Sequence, residues 1–249
     1  MRLLQLNTWS CKLAPEIVRL LDTTNPDVVT LQEVVSTVHD GKILDTIDSV
    51  FSEHPFSSRY YTPLVEFAFM HHQASRGNLI ASNLPFVAQS QFWTHGTCAT
   101  DFDYQDSGGY NIARNIAHVT HRLDDDTPLH ILTLHGYHLK EHKLGNEETM
   151  RACKMLIEYI STLEGGIIVT GDFNLSPESE SIHFINQSLR NLSVEYGLTT
   201  TRNHLTTKKE VCDYIFVNDR INVSTFSMSD MIVSDHNALS LDFTVTSNN

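Results

Sequence analysis

The sequence predicts an α/β protein made of two packed sheets with helices on their outer faces. Three observations lead there. Strand-like apolar runs bounded by Gly, Pro and Asn/Asp clusters outnumber helical patterns along the 249 residues. The helical patterns are interspersed rather than alternating one for one with strands, which argues against a doubly wound parallel sheet. Finally, Arg114–Arg122 and Leu129–Leu134 are joined by Asp124-Asp125-Asp126-Thr127-Pro128, the composition of a hairpin turn and hence of antiparallel pairing.

The elements follow in order. Met1–Trp9 alternates and then runs apolar, as a strand does. Pro15–Leu21 has helical spacing and is closed by Asn25-Pro26. Asp27–Gln32 is a short buried-type strand ending at Glu33, and Thr37–Phe51 reads as helix. Tyr60–Met70, Asn78–Ser82 and Val87–Trp93 are successive strands punctuated by Gly77 and Pro85. After the hairpin, Asn146–Leu163 is the clearest helix, with Met150, Cys153, Leu156, Ile157 and Ile160 along one stripe. Gly165-Gly166 stops it and opens the strand 167–170; Glu178–Leu189 is a further helix. Cys212–Asn218, Val223–Met228 and Ala238–Val245 are the last strands.

Composition narrows the function. With 41% hydrophobic and 19% charged residues the chain is globular. A single body of this length buries roughly 70–75% of its unfolded surface and needs no staples. The first residues read as a strand rather than a signal peptide, and no apolar run approaches the ~20 residues of a membrane helix. Cys11, Cys98, Cys153 and Cys212 form no CxxC pair and read as reduced thiols, which makes the expected compartment cytoplasmic. The net charge is −13, from 17 Lys+Arg against 30 Asp+Glu. Only Lys208-Lys209 and the stretch Lys140–Lys143 hint at a basic cluster. That balance disfavours a long nucleic acid and leaves a small phosphoester open.

Polar residues recur where strands end: Asn7, Glu33, His135, Asp172, Asn174, Asp213, Asp235 and His236. The plainest case is Gly171-Asp172-Phe173-Asn174, which follows the apolar run 166–170 and delivers a carboxylate and an amide two residues apart. Ser234-Asp235-His236 repeats the pattern after Met231-Ile232-Val233. Singly, each has an ordinary structural reading: a turn cap for Asn7, a solvated acid for Glu33, a satisfied core histidine for His135. Together they supply the oxygens a hard divalent cation takes, a group to orient water, and donors for developing phosphorane charge. Metal-assisted hydrolysis of a phosphoester is the chemistry that needs this mixture.

In this order the motifs resemble the endonuclease/exonuclease/phosphatase superfamily, the deoxyribonuclease I-like fold. Leu4-Gln5-Leu6-Asn7 matches its first asparagine motif and Leu31-Gln32-Glu33-Val34 its glutamate motif. Gly77-Asn78-Leu79-Ile80-Ala81-Ser82 is similar to its G-N-A-I-L-S strand, and Thr133-Leu134-His135 to T-H-L. Gly171–Asn174, Asp213-Tyr214-Ile215-Phe216 and Ser234-Asp235-His236 match G-D-F-N, D-Y-I-F and S-D-H. The resemblance spans residues 4–239. It implies a four-layer α/β sandwich, two mostly antiparallel sheets flanked by helices, as one catalytic domain over 1–249. It implies that Glu33 holds magnesium, with manganese the alternative, helped by Asn7 and Asp235. Asp172 and Asn174 would position or activate water. His236, oriented by Asp213, would face the scissile phosphate, and His135 would donate to a phosphate oxygen. The chain departs from the pattern after His135, where Gly136-Tyr137-His138 makes His138 the rival donor.

Substrate choice is read from Asn78 and from three arginines, Arg76, Arg114 and Arg202, since arginine is the natural phosphate fork. The segment Phe67–His72 reads as core alternating with surface, with a pocket wall as the alternative. The expected activity is a metal-dependent phosphoesterase on a small-molecule or lipid-headgroup substrate. A nuclease is the alternative within the family, and a phosphate-binding module without chemistry is the alternative outside it. Charge separates the first two. At about 150 mM salt, duplex DNA is expected to bind more weakly than micromolar, because few cations are available to release counterions. A filter-binding or anisotropy titration showing sub-micromolar affinity would put the nuclease first.

Overall fold

The computed structural model describes residues 1–39, 42–43, 46–69, 72–100 and 112–246. The first sheet holds β1 (Arg2–Asn7), β2 (Val28–His39), β3 (Lys42–Ile43), β4 (Ser58–Phe69), β5 (His72–Ser82), β12 (Ile221–Met228) and β13 (Leu239–Val245). Its order is β12-β13-β1-β2-β5-β4, with β3 paired to β2. The second sheet holds β6 (Ala88–His95), β7 (Arg114–Arg122), β8 (Pro128–His135), β9 (Gly166–Asp172), β10 (Arg190–Asn191) and β11 (Asp213–Val217). Its order is β10-β11-β9-β8-β7-β6. The helices are α1 (Ala14–Thr24), α2 (Thr46–Glu53), α3 (Glu147–Ile160), α4 (Glu180–Asn186) and α5 (Leu192–Glu195).

Strand period two sorts the apolar residues into three cores and so builds four layers. Leu3, Val28, Ile131, Ile168, Ile215 and Leu241 meet between the sheets. Their chain neighbours point the other way. Leu4, Val29 and Leu31 pack with Ile17, Leu20 and Phe51 of α1 and α2. Leu132, Ile167 and Val169 pack with Cys153, Leu156 and Ile160 of α3. Local chemistry places the helices. Pro15 stands in the first turn of α1, and Asn25 closes it in the left-handed region (φ 42°). Asn146 caps α3 by accepting from Thr149 N, whose hydroxyl in turn takes the Asn146 N–H; Glu147 and Glu148 follow at the positive end of the helix.

Both sheets are mixed. Most pairs are antiparallel, but β1 runs parallel to β2 and β8 parallel to β9, each pair bridged by one helix, α1 or α3. The C-terminal ends of these parallel strands lie at one rim, the usual ligand side of such units. Asn7 ends β1, His135 ends β8 and Asp172 ends β9. Asp213 starts β11 directly beside Asp172, which in turn lies beside His135.

The layer between the sheets changes character toward that rim. Below it is aliphatic; above, Thr170 donates to Thr30 at 2.8 Å and Gln32 to Thr133 at 2.9 Å. Gln5 then donates to Gln32 at 2.9 Å and to Asp213 at 3.3 Å. The buried amides and hydroxyls bond to one another across the sheets, with Gln5 Oε1 left without a hydrogen-bond partner.

Two readings need correction. The helix expected over Thr37–Phe51 begins only at Thr46: Thr37 and Val38 pair with Ala74 and Gln73 of β5, so β-branched residues with a partner strand override a helical pattern. Residues 40–41 and 44–45 of that range lie outside the described residues. Glu33 is not a strand end either. Strand β2 continues to His39 past a register shift between Leu31 and Val34, and Glu33 has φ 56°. This bulge flips the parity, so Leu31 and Val34 share one core while Glu33 turns out toward the rim. Met70, the end of one expected strand, and part of the Phe67–His72 segment also lie outside the described residues. No helix among the described residues is long and apolar enough to cross a membrane.

Gly171 tests how tightly the rim is built. Its φ is 144°, and a Cβ there would lie 2.0 Å from Leu134 O of the neighbouring strand. Gly171→Ala is expected to destabilise the protein by about 3 kcal/mol or more, through strain and a forced gap between β8 and β9. Thermal unfolding reads this directly; an unchanged Tm would mean that the strand end is slack.

Candidate active site

The backbone delivers the site residues by three local devices. The β2 bulge turns out Glu33. The sharp turn after β9, with Asn174 at φ 56°, brings Asn174 N to Asp172 Oδ1 at 2.9 Å. The third device is a strap. Residues 200–203 lie along 234–237, with Asn237 N donating to Thr201 O at 2.9 Å and Asn203 Nδ2 to Ser234 O at 2.8 Å.

Asp172 is the centre, 2% exposed. Its Oδ2 receives Asn7 Nδ2 at 3.1 Å and lies 3.6 Å from His236 Nε2, 3.8 Å from His135 Nε2 and 3.8 Å from Arg202. One half of the site is Asn7, Glu33, His135 and Arg76. Glu33 takes Arg76 at 3.4 Å and Asn7 Nδ2 at 3.4 Å, with His135 Nε2 at 3.9 Å. The other half is Asp213, Asp235, His236 and Arg202. His236 Nδ1 and Asp213 Oδ2 are 2.8 Å apart across 23 positions of sequence. Arg202 lies 3.6 Å from Asp235 and in contact with His236 Nε2. At the mouth only Glu33 and Asp235 keep appreciable exposure, 19% and 16% of their side chains.

Burial drives most charge states, and neighbours decide the rest. Burial would raise the Glu33 carboxyl, but the Arg76 guanidinium and the imidazoles nearby outweigh it and hold it down at about 2. Burial would likewise raise Asp172; His236, Arg202, His135 and Lys143 together depress it. His135 is pushed down to about 3 by burial and by the Arg114 charge, so at neutral pH it is an uncharged donor. Its share in holding the carboxylates down is therefore small there, and Arg76 is the standing counter-charge of Glu33. His236 goes the other way: burial lowers it, but Asp213 and Asp172 win and raise it above its ordinary value.

The carboxylates of Asp172 and Asp213 and the His236 imidazole lie within 4.8 Å of one another. That spacing resembles a metal triad, but Asp213 is already engaged by three donors. Its Oδ2 takes the Thr201 hydroxyl at 2.6 Å and His236, and its Oδ1 takes Gln5. Asp213 therefore orients His236 rather than offering a lone pair to an ion. Glu33 and Asp172 each take one hydrogen bond on each oxygen, which leaves further lone pairs on their side of the site. Asn7 turns its amide N–H, not its oxygen, toward both acids; its Oδ1 accepts from Trp9 N at 3.1 Å. Asn7 thus holds the acids in place, and ligation by its oxygen would need the amide to turn.

The remaining expected residues fall as follows. Arg202 and Arg114 are buried rather than solvated, and Arg76 is largely buried on Glu33. Asn78 is fully buried and donates to Asn115 at 3.1 Å. His138 lies near Lys143 and is held down to about 4, chiefly by burial. Sequence reasoning missed Thr201, Gln5 and Lys143. Thr201 was visible only as the neighbour of Arg202, and Lys143 only as part of a basic pair. Lys143 Nζ donates to Asn174 Oδ1 at 2.6 Å; burial lowers its pKa and Asp172 opposes this.

The family model described as "Endonuclease/Exonuclease/phosphatase family" matches residues 4–236. The chain belongs to that family. Its members are in general hydrolases of phosphoesters. No curated protein matches the sequence as a whole. Solved structures share the fold. A Bacteroides vulgatus endonuclease/exonuclease/phosphatase is 16% identical, covers 98% of each chain and has a TM-score of 0.72. A Bacteroides thetaiotaomicron mannosyl-6-phosphatase is 14% identical, with 98% of this chain and 99% of that one covered and a TM-score of 0.69. The catalytic domain of human Nocturnin is 19% identical, with 99% and 93% covered and a TM-score of 0.71.

Acid should weaken this fold early. His118, His121, His130 and His135 are all held below their ordinary value, mainly by burial; His118 is held at about 4 and His135 at about 3. Below about pH 6.5 the unfolded chain takes up protons that the folded chain refuses, so stability is full above that pH and drains as it falls toward 3–4. Glu33 adds a loss below about 4.5. His236, raised, works in the opposite sense and is outnumbered. Calorimetric Tm should fall steadily from about pH 6.5 to 4.5, and His118→Gln should flatten the slope. A flat Tm over that range would contradict the neutral histidines.

Proposed function

We propose that the protein is a magnesium-dependent phosphoesterase acting on a small-molecule or lipid-headgroup substrate. The observation that carries the reading is Asp172 Oδ2, which faces both the half around Glu33, Asn7 and His135 and the half around His236 and Arg202. The donor set fits a hard divalent ion: the carboxylates of Glu33, Asp172 and Asp235, with the nearby Cys212 sulfur kept a thiol by burial, which raises it to about 12. Glu33 would hold it, helped by Asn7 and Asp235, with manganese as the alternative ion. When bound, such an ion polarises a phosphoryl oxygen and makes a water more acidic.

The chain's own residues do the rest. Asp172, ionised and fixed by Asn7 and by Asn174 N, orients the attacking water. Asn174 holds the turn that aims it. Asp213 fixes the tautomer and ring plane of His236, whose Nε2 faces the reacting phosphate. Neutral His135 donates a hydrogen bond, and Arg202, Arg76 and Arg114 surround the developing negative charge. The mannosyl-6-phosphatase among the similar structures is consistent with a small phosphorylated substrate, and the overall charge disfavours a nucleic acid.

Glu33→Gln should keep the fold and weaken magnesium binding at least about tenfold by titration calorimetry. Hydrolysis across a panel of phosphomonoesters, phosphodiesters and single- and double-stranded nucleic acids should appear with magnesium and vanish with chelator. Unchanged magnesium affinity removes Glu33 from this role, and preferred cleavage of nucleic acid overturns the substrate class.

A further inference from the structure

Among the described residues, four fixed cations converge on this site in a chain of net charge −13. Arg76 sits on Glu33, Arg202 lies beside Asp172, Asp235 and His236, the Arg114 charge bears on His135, and Lys143 donates to Asn174. They face four carboxylates: Glu33, Asp172, Asp213 and Asp235. Histidines aside, the site is balanced before any ion enters it. One divalent cation takes the sum to plus two. A terminal phosphate dianion cancels that charge; an internal phosphodiester, with a single negative charge, leaves half of it uncompensated in a buried place, which is unfavourable.

Two of the cations are placed to read the difference. Arg202 approaches Asp172 through Oδ2 at 3.8 Å. Lys143 approaches from the Oδ1 side through Asn174, whose backbone N–H holds that oxygen at 2.9 Å. The Arg202 side chain is 4% exposed, and its Nε is buried without a hydrogen-bond partner. Lys143 has spent one of its three N–H donors on Asn174. Both therefore carry donors that the protein leaves unused, one on each side of the proposed water-orienting carboxylate.

We propose that Arg202 and Lys143 form a two-sided clamp on two non-bridging oxygens of a phosphate whose third is left for the ion, a demand for three such oxygens that only a terminal phosphate meets, so that the substrate is a phosphomonoester. This rests on the phosphoesterase reading above and narrows it. The clamp recognises the phosphate, whether a soluble sugar phosphate or a lipid carries it.

The test compares 4-nitrophenyl phosphate with bis(4-nitrophenyl) phosphate, with glucose 6-phosphate and phosphatidate vesicles as arms that separate the two sources. Calorimetry with inorganic phosphate and with dimethyl phosphate, in magnesium, gives a readout free of turnover. The monoester should be hydrolysed at least about tenfold more efficiently than the diester. Lys143→Met should lower monoester kcat/KM and inorganic phosphate affinity by about tenfold each, and leave the diester within about threefold and the Tm unchanged. Lys143→Arg should restore most of the loss. A lysine that only braces the Asn174 turn would lower both substrates and the Tm alike, which would overturn the clamp; so would a preferred diester. If no phosphoester is hydrolysed, the proposed function fails by itself, and the calorimetry still decides: phosphate affinity unchanged in Lys143→Met ends the clamp.

Discussion

The rim depends on keeping one buried carboxylate ionised. Asp172 sits at the seam of the two sheets, where burial alone would protonate it. It stays charged because donors from β1, from the β8 end, from the turn after β9 and from the strap at 201–202 all point at it. Remove the packing of either sheet and those donors leave, so the charge state of the site and the union of the sheets are one constraint. This is also why the inter-sheet layer turns polar toward the rim. A carboxylate cannot sit directly on aliphatic carbon; Thr30, Thr170, Thr133, Gln32 and Gln5 grade the environment from oil to charge.

The same constraint accounts for the backbone irregularities. Regular strands would alternate Gln32 and Glu33 to opposite faces and give only one of them to the interior. The bulge in β2 lets Gln32 join the network and Glu33 reach the mouth, with Val34 back in the core. The left-handed Asn174 similarly folds its own amide onto Asp172. Strain of this kind persists only where the surroundings over-determine it, and here strand pairing on both sides does so.

Charge is distributed with the same economy. The protein is strongly acidic, yet arginines 76, 114 and 202 and Lys143 are drawn inward to one place. On the phosphoesterase reading, long-range repulsion of polyanions and short-range capture of a phosphate would coexist, because screening confines the outer charge to about 8 Å while the inner cations act in a poorly screened site.

The sequence by itself determined the architecture and most of the site. Strand period two, the capped α3 pattern and the turn residues specify which face each residue takes, and these are local properties that survive without knowing the partners. Asn7, His135 and Asp172 stand where strands end and Asp213 where one begins, positions that periodicity makes legible; Glu33 sits on a bulge inside a strand and Asp235 and His236 on a loop, and these were legible through their motifs alone. What only the tertiary structure decided is whatever depends on a partner distant in sequence. The stretch after Glu33 looked helical until pairing with β5 made it strand. Asp213 was legible as the partner of His236, but that Thr201 and Gln5 hold its carboxylate in place was not. Asn78 looked like a substrate contact until Asn115 took its amide. Arg202 and Lys143, on loops without periodicity, carried no directional signal at all: where a long cationic side chain ends is set by the carboxylates that fold in around it.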